Sequence, residues 1–353
     1  MRRPLRHAAA VFVLLPPLLL ASAAPALAHD RDDGGHQGEG CSREDREHHD
    51  GDSEGLPATY RLNGDREGSL FEGIAVARDR ERFYVSEITG GEIHRGEIDE
   101  GRTEVWLDAD DALRDRRRAA VGLATDRRDR VYVAGGDNAT QPDAAAGDPD
   151  FWVYDEDGDL LAALRVPAND PVFLNDVVVG PDGAAYVTDS LTPQIFRVAR
   201  EDGDWQATVW AAADAPGAPE PGGGFGLNGI EMAPDCRSLI VSQSDVGALW
   251  RYDLETAEPT RIDTGDVDLT FTDGLVVKGR TLVAVRNFPQ VLTYLRLDED
   301  ATSARMLTEV PTDPDRVFTT GDIAGGRLLL VDSQFDEEPP SRDSEVVARS
   351  FRP

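Results

Sequence analysis

Six similar segments recur along this chain at intervals of roughly fifty residues, and a period of that length constrains the fold more than any other feature. They are "EGIAVA" at 72, "VGLATD" at 121, "NDVVVG" at 175, "NGIEMA" at 228, "DGLVVK" at 273 and "TGDIAG" at 320. Each leads through a short turn to a second apolar run: "RFYVSE", "RVYVAG", "AAYVTD", "SLIVSQ", "TLVAVR" and "RLLLVD". A third strand usually follows, and in most repeats a fourth, more polar one such as "TEVWL". Four short antiparallel strands per repeat, six times over, predict an all-β six-bladed β-propeller. The repeat is too long for the coil of a β-helix. Helical periodicity is confined to "DADDALRDRRRAA" at 108–120. The last repeat runs out near Phe351 after three strands, so "ATYRLNG" at 58–64 is expected to supply the missing outer strand and close the ring without an open edge.

The segments before the repeats are of a different kind. Residues 1–28 combine Arg2, Arg3 and Arg6, an apolar run and the small-residue sequence "ALA", the pattern of a secretory signal peptide cleaved near Ala28. The expected destination is extracellular. Residues 29–56 have almost no apolar side chains to offset ordering entropy and are expected to form an acidic disordered lead. The propeller is expected to span 57–353. Cys41 and Cys236 are the two cysteines, and an oxidising compartment would permit a bond between them. The formal charge is −31 and Lys278 is the only lysine, a balance that repels nucleic acid and anionic membrane surfaces. The expected protein is a monomer acting on a small molecule, with neither nucleic acid nor membrane as partner.

In a propeller the innermost strands surround a channel, so the six repeat starts form a ring at one mouth. That ring reads Glu72, Val121, Asn175, Asn228, Asp273 and Thr320. Four of these carry carboxylate or carboxamide oxygens. Asn and Asp often start strands after turns, but four such groups at equivalent buried positions are costly unless something satisfies them. A hard divalent cation would do so, and Ca²⁺ takes carboxylate, carboxamide and water oxygens together. Glu72 and Asp273 would balance its charge.

The stretches "FEGIAVARDRERFYVSE", "FLNDVVVGPDGAAYVTDS", "GLNGIEMAPDCRSLIVSQS" and "FTDGLVVKGRTLVAVRN" make the chain resemble the senescence marker protein/gluconolactonase family. It is also similar to the related calcium-dependent propellers, diisopropylfluorophosphatase and the paraoxonases. The resemblance covers about residues 58–353. In that family a Glu opens the first blade, Asn-Asp the third, Asn-Gly the fourth and Asp-Gly the fifth, and these hold a catalytic divalent cation. The resemblance implies that Glu72, Asn228 and Asp273 are direct ligands, that Asn175 is a fourth ligand or orients the substrate, and that Asp273 is the catalytic carboxylate.

Asp176 follows Asn175 and is either a second acid or base or an acceptor for turn amides. The only histidine of the repeats is His94, on a third strand, so neither a histidine pair nor a Ser-His-Asp triad has residues to use. What remains is a cation with a carboxylate. The ends of the second strands are expected to line the pocket with Asp189, Gln243, Arg286 and Asn287, along with Glu87, Asp137 and Asp332. Arg286 would hold a substrate anion or pair with a neighbouring acid. Such a polar wall suits a sugar lactone, although the loops can reverse that preference. The loop "GGDNATQPDAAAGDPD" at 135–150 is expected to overhang the mouth. These readings converge on a secreted Ca²⁺-dependent hydrolase of lactones or related esters. The rival is a non-catalytic propeller with a structural cation and a binding face, because fold alone does not decide between them.

Overall fold

The computed structural model describes residues 55–64, 68–337 and 343–352. Strand β1 (Thr59–Arg61) precedes blade one, which comprises β2 (Phe71–Val76), β3 (Arg82–Glu87), β4 (Ile93–Glu97) and β5 (Thr103–Leu107). Blade two holds β6 (Leu123–Thr125), β7 (Val131–Ala134), β8 (Phe151–Tyr154) and β9 (Leu160–Leu164). Blade three holds β10 (Leu174–Val179), β11 (Ala185–Asp189), β12 (Gln194–Glu201) and β13 (Asp204–Ala211). Blade four holds β14 (Leu227–Met232), β15 (Ser238–Gln243), β16 (Ala248–Asp253) and β17 (Pro259–Arg261). Blade five holds β18 (Thr272–Lys278), β19 (Thr281–Arg286), β20 (Val291–Leu297) and β21 (Ala304–Pro311). Blade six holds β22 (Phe318–Ala324), β23 (Arg327–Asp332) and β24 (Glu345–Ser350), and β1 is its fourth strand. Thr59, Tyr60 and Arg61 pair antiparallel with Val347, Val346 and Glu345, so the two ends of the described chain close the ring.

The apolar runs of the second strands follow from this geometry. Successive side chains point to opposite faces, and each face packs against a neighbouring blade, so "RLLLVD" is buried at every position. The core is therefore a set of layers between blades. Tyr84 of blade one packs with Leu123 and Trp152 of blade two. Phe151 of blade two packs with Leu174 and Phe196 of blade three. Phe71 and Phe83 of blade one meet Leu329 and Val346 of blade six, with Tyr60 of β1 sealing the layer. The one α-helix among the described residues, α1 (Ala109–Arg114), lies within the segment of expected helical periodicity. Asp108 and Asp111 form its capping box, and it ends at Asp115.

The innermost strands β2, β6, β10, β14, β18 and β22 contact one another around the channel. In blades one, three, four, five and six the ladder between the innermost and second strands skips a register at the repeat start. Such a bulge re-aims a side chain, and here it lies at the ring residue. The register also corrects one ring position. Phe318 pairs with Asp332 as Phe71 pairs with Glu87, so Thr319, not Thr320, is the equivalent of Glu72. Thr319 is fully buried, and its hydroxyl donates to the Glu72 carbonyl at 2.8 Å.

The residue after the ring position faces the next blade's backbone, which explains the glycines there. A Cβ on Gly73 would lie 2.1 Å from the Val121 carbonyl oxygen, and one on Gly229 2.5 Å from that of Asp273. Gly229→Ala is therefore expected to lower stability by roughly 1–3 kcal/mol, read as a lower denaturant midpoint at unchanged slope. A wild-type midpoint would overturn this account of the glycine.

Candidate functional site

The start of each innermost strand and the end of each second strand meet at one mouth, and there the structure holds a cavity of about 640 Å³. Glu72, Asn175, Asn228 and Asp273 all line it, together with Val121. Each of the four polar residues is buried, so the sequence places four oxygen-bearing groups against one small space.

Their partners fix how they present. Asn175 Nδ2 donates to Ser190 Oγ at 3.1 Å, and that hydroxyl donates to the Leu227 carbonyl at 2.6 Å. The amide orientation is thereby set, and Asn175 Oδ1 is left buried with no hydrogen-bond partner. A buried acceptor of this kind is costly on its own. Asn287 Nδ2 donates to Asp273 Oδ2 at 2.7 Å, while Asn287 Oδ1 accepts from the Phe288 amide at 2.7 Å. Asp273 is thus held from one side by an amide that is itself held.

The electrostatics are strained. Burial first, then the charges of Asp273 and Asp176, push the Glu72 carboxyl well above its usual range. Burial raises Asp273 to about 7 despite hydrogen bonds from Asn287 and Asn228. Asp176 is also raised to about 7, by burial first, against the pull of two backbone amides. Two crowded carboxyls at the mouth, Glu72 and Asp273, and an unpartnered amide oxygen are a donor set suited to a hard divalent cation.

Asp176 lies apart from the other four. It occupies the position where blades one, two, four and five carry glycine, and its carboxylate accepts from the Val177 amide at 2.8 Å and the Ile230 amide at 3.1 Å. It lines a second cavity of about 840 Å³ in the channel, with Thr320 and Asp322, and not the mouth. Of the two roles open to it, the acceptor of amides is the one the hydrogen bonds display.

The ends of the second strands depart from expectation. Only Asn287 lines the mouth, whereas Arg286, Gln243 and Asp189 do not. Arg286 bonds to the Thr270 carbonyl at 3.0 Å and pairs with Asp268 at 2.6 Å and Glu309 at 3.1 Å. Gln243 donates to the Glu220 carbonyl at 2.8 Å and accepts from Trp250 Nε1 at 3.0 Å. Asp189 accepts from the Phe173 and Leu191 amides, both at 3.0 Å, and from Gln194 at 2.9 Å. Each grips the loop that enters its own blade. Hydrogen bonds to those loops take up the strand-end side chains, whereas Asn287 and Phe288, just past the end of β19, line the cavity.

Glu87, Asp137 and Asp332 are likewise absent from the lining. Asp332 pairs with Arg316 at 2.8 Å. Glu87 lies beside His94, with Nε2 3.6 Å from its Oε2. His94 stacks edge-on against Phe71, so no histidine among the described residues reaches the mouth. The loop at 135–150, although its Gly136 sits beside Val121 and Phe173, contributes no residue to the lining. Buried Asn138 ties it to the Arg118 amide and the Pro149 carbonyl, and Asp148 pairs with Arg116 and Arg118. Cys41 falls outside the described residues, which leaves the expected cysteine pair as an expectation.

The walls above the ring were not anticipated. Phe173, Phe225, Phe271, Phe288 and Phe335 line the cavity with Ile88. The signal was present in "FLND", "FGLNG" and "FTDG", where a phenylalanine stands two or three residues before the ring position.

A six-bladed propeller whose channel mouth gathers acids and amides from four blades defines a class of ring-site propellers. The chain belongs to one family of these, the SMP-30/gluconolactonase/LRE-like family, whose model matches residues 70–312. Among solved structures, a gluconolactonase from Xanthomonas campestris is 18% identical, with 83% of this chain and 91% of that one covered at a TM-score of 0.54. A calcium-binding protein, regucalcin from Agrobacterium tumefaciens, is 16% identical, covering 84% and 96% at 0.54. The major allergen Mala s 1 of Malassezia sympodialis is 18% identical, covering 83% and 96% at 0.60. At these identities the likeness is one of fold. No curated protein matches the chain.

Proposed function

We propose that this chain is a secreted, divalent-cation-dependent hydrolase of lactones or related esters, with Ca²⁺ the favoured ion. The observation that carries the reading is the gathering of Glu72, Asn175, Asn228 and Asp273 on one cavity floor, with Asn175 Oδ1 unpartnered. Family membership and the gluconolactonase and regucalcin folds support it. These four residues would hold the cation. When bound, it supplies polarisation of the scissile carbonyl and neutralises the charge that develops on its oxygen.

The chain's own groups do the rest. Asn287 keeps one oxygen of Asp273 occupied, which orients the carboxylate toward the cavity. Asp273 then takes the proton of an attacking water. Ser190 keeps Asn175 from rotating its amide. Asp176, satisfied by two amides, holds the seam between blades three and four rather than moving protons.

The test is pH-stat hydrolysis of aldonolactones, simple lactones and aryl esters, with Ca²⁺ and after chelation. Turnover that chelation removes and Ca²⁺ restores is the expected result. No turnover on the whole panel, by folded and metal-loaded protein, would shift the reading to the non-catalytic binding propeller.

A further inference from the structure

Five of the chain's twelve phenylalanines stand around this one mouth. Three of them are exposed, Phe225 at 48%, Phe271 at 51% and Phe288 at 55%. They are paired rather than scattered. Phe173 meets Phe225 edge-on with centroids 5.0 Å apart, and Phe271 meets Phe288 edge-on at 6.0 Å. Scattered apolar residues on a surface need no explanation, but a contiguous aromatic patch above a polar floor does.

The backbone goes out of its way to place them. Phe271 has φ +61°, a left-handed conformation that a bulky aromatic rarely adopts. It is held there by its amide bonding to the Ser244 carbonyl at 3.0 Å and its carbonyl accepting from the Asn287 amide at 3.2 Å. Arg286 grips the preceding Thr270 carbonyl. A strained backbone pinned on both sides, ending in a ring left half in water, is the pattern of a functional wall.

The polar groups of the lining are mostly spoken for. The Ser244 hydroxyl donates to the Thr272 carbonyl, the Thr270 hydroxyl donates to Asp268, and Asn287 uses both ends of its amide. Among the described lining residues away from the ring, Asp245 alone offers a buried side-chain oxygen without a partner. No arginine, lysine or histidine lines the cavity among the described residues. A substrate with many hydroxyls would give up water here for few replacement bonds, and an anionic one would meet carboxylates with no cationic side chain.

Resting on the hydrolase reading above, we infer that the substrate is a neutral lactone or ester bearing an apolar alkyl or aryl arm. The carbonyl faces the ring floor, and the arm lies between the Phe173–Phe225 and Phe271–Phe288 pairs. Phe225 and Phe288 are thereby specificity-determining residues. This preference is opposite to the sugar lactone suggested by the polar second-strand ends, because those ends face the loops and the loops supply the wall.

Two measurements on the full chain loaded with Ca²⁺ test the inference and separate it from the hydrolase reading. The first is kcat/KM for γ-lactones with unbranched alkyl arms of increasing length, beside gluconolactone. It is expected to rise about fourfold per added methylene over the first few carbons, with gluconolactone the poorest substrate. The double variant Phe225→Ser with Phe288→Ser is expected to flatten that rise and lower the long-to-short ratio at least tenfold. The second is calorimetric binding of unreactive 2-alkanones from butanone to decanone, which needs no turnover.

Ketone affinity that tightens with length, without turnover of any ester, would uphold the apolar site and sink the hydrolase reading. Turnover that ignores chain length, or favours gluconolactone, would overturn the inference and leave the hydrolase standing. Ketones that fail to bind more tightly with length, together with no turnover, would overturn it as well.

Discussion

Asp273→Asn is expected to lower kcat by at least about a thousandfold on any ester the wild type turns over, the scale of loss when a catalytic acid or base is removed. Two roles meet in this carboxylate. It would supply charge to the cation, and it is the ring's acid nearest to a held geometry, with Asn287 on one oxygen. The amide keeps the shape and an oxygen but loses the charge and the basicity. The same substitution is expected to stabilise the metal-free protein, on the order of 2 kcal/mol. Burial holds Asp273 at about 7, so at neutral pH the folded state works against an ionised carboxyl that the unfolded chain ionises freely. A loss of activity alone could reflect a broken fold. A loss of activity and of Ca²⁺ affinity, accompanied by a higher melting temperature after chelation, could not. If turnover survives in Asp273→Asn, this residue is not the base.

The structure also shows where sequence reading reached and where it stopped. The repeat period, the closure by Thr59–Arg61 and the gathering of four ring residues were legible because they depend on patterns with a fixed period. The strands alternate, the blades repeat, and equivalent positions converge by symmetry. The departures lie where the period does not tell a side chain's direction. Blade six is offset by one because glycine follows the ring residue directly in blades one, two, four and five, whereas Thr320 stands between Thr319 and Gly321, so matching on the glycine puts Thr320 at the ring. Arg286, Gln243 and Asp189 end second strands near the mouth, but the loops entering their own blades supply their partners, and sequence does not display those contacts. The aromatic wall was missed because its members lie on crossover loops and second-to-third-strand turns of different blades, and loops meet only in three dimensions. The resulting arrangement has its own logic. Polar strand ends fasten the loops, and the fastened loops present phenylalanines to the cavity.

The second large effect concerns pH and the cation together. The metal-free protein is expected to lose stability steadily between about pH 4 and pH 7, and Ca²⁺ is expected to remove the part of that slope that Glu72 and Asp273 contribute, leaving the part from Asp176, Asp150 and Asp332. The sign follows from the buried acids. Glu72 and Asp273 of the ring and Asp176 beside it in the channel are all raised above their usual range, Asp273 and Asp176 to about 7. An acid whose folded pKa is raised is equally protonated in both states below its unfolded pKa, so its full stability is present there. As pH climbs through the window, the unfolded chain releases the proton first and the folded state is disfavoured. A three-unit shift corresponds to about 4 kcal/mol for one isolated group, and because these groups interact, their contributions do not sum. A cation binds the ionised forms, so its affinity rises with pH and its binding releases protons. The formal charge of −31 pushes the same way, since general repulsion among surface acids also grows as they ionise. Salt separates the two: about 1 M shortens the Debye length to roughly 3 Å and quiets the surface, but reaches the buried ring far less. Urea midpoints at pH 4, 5, 6, 7 and 8 in high salt, with chelator and with Ca²⁺, are the measurement. The part of the slope that persists in salt, is removed by Ca²⁺ and shrinks in Asp273→Asn has its source in the ring. A flat profile in salt would assign the effect to the surface charge and remove the electrostatic case for a cation at this mouth.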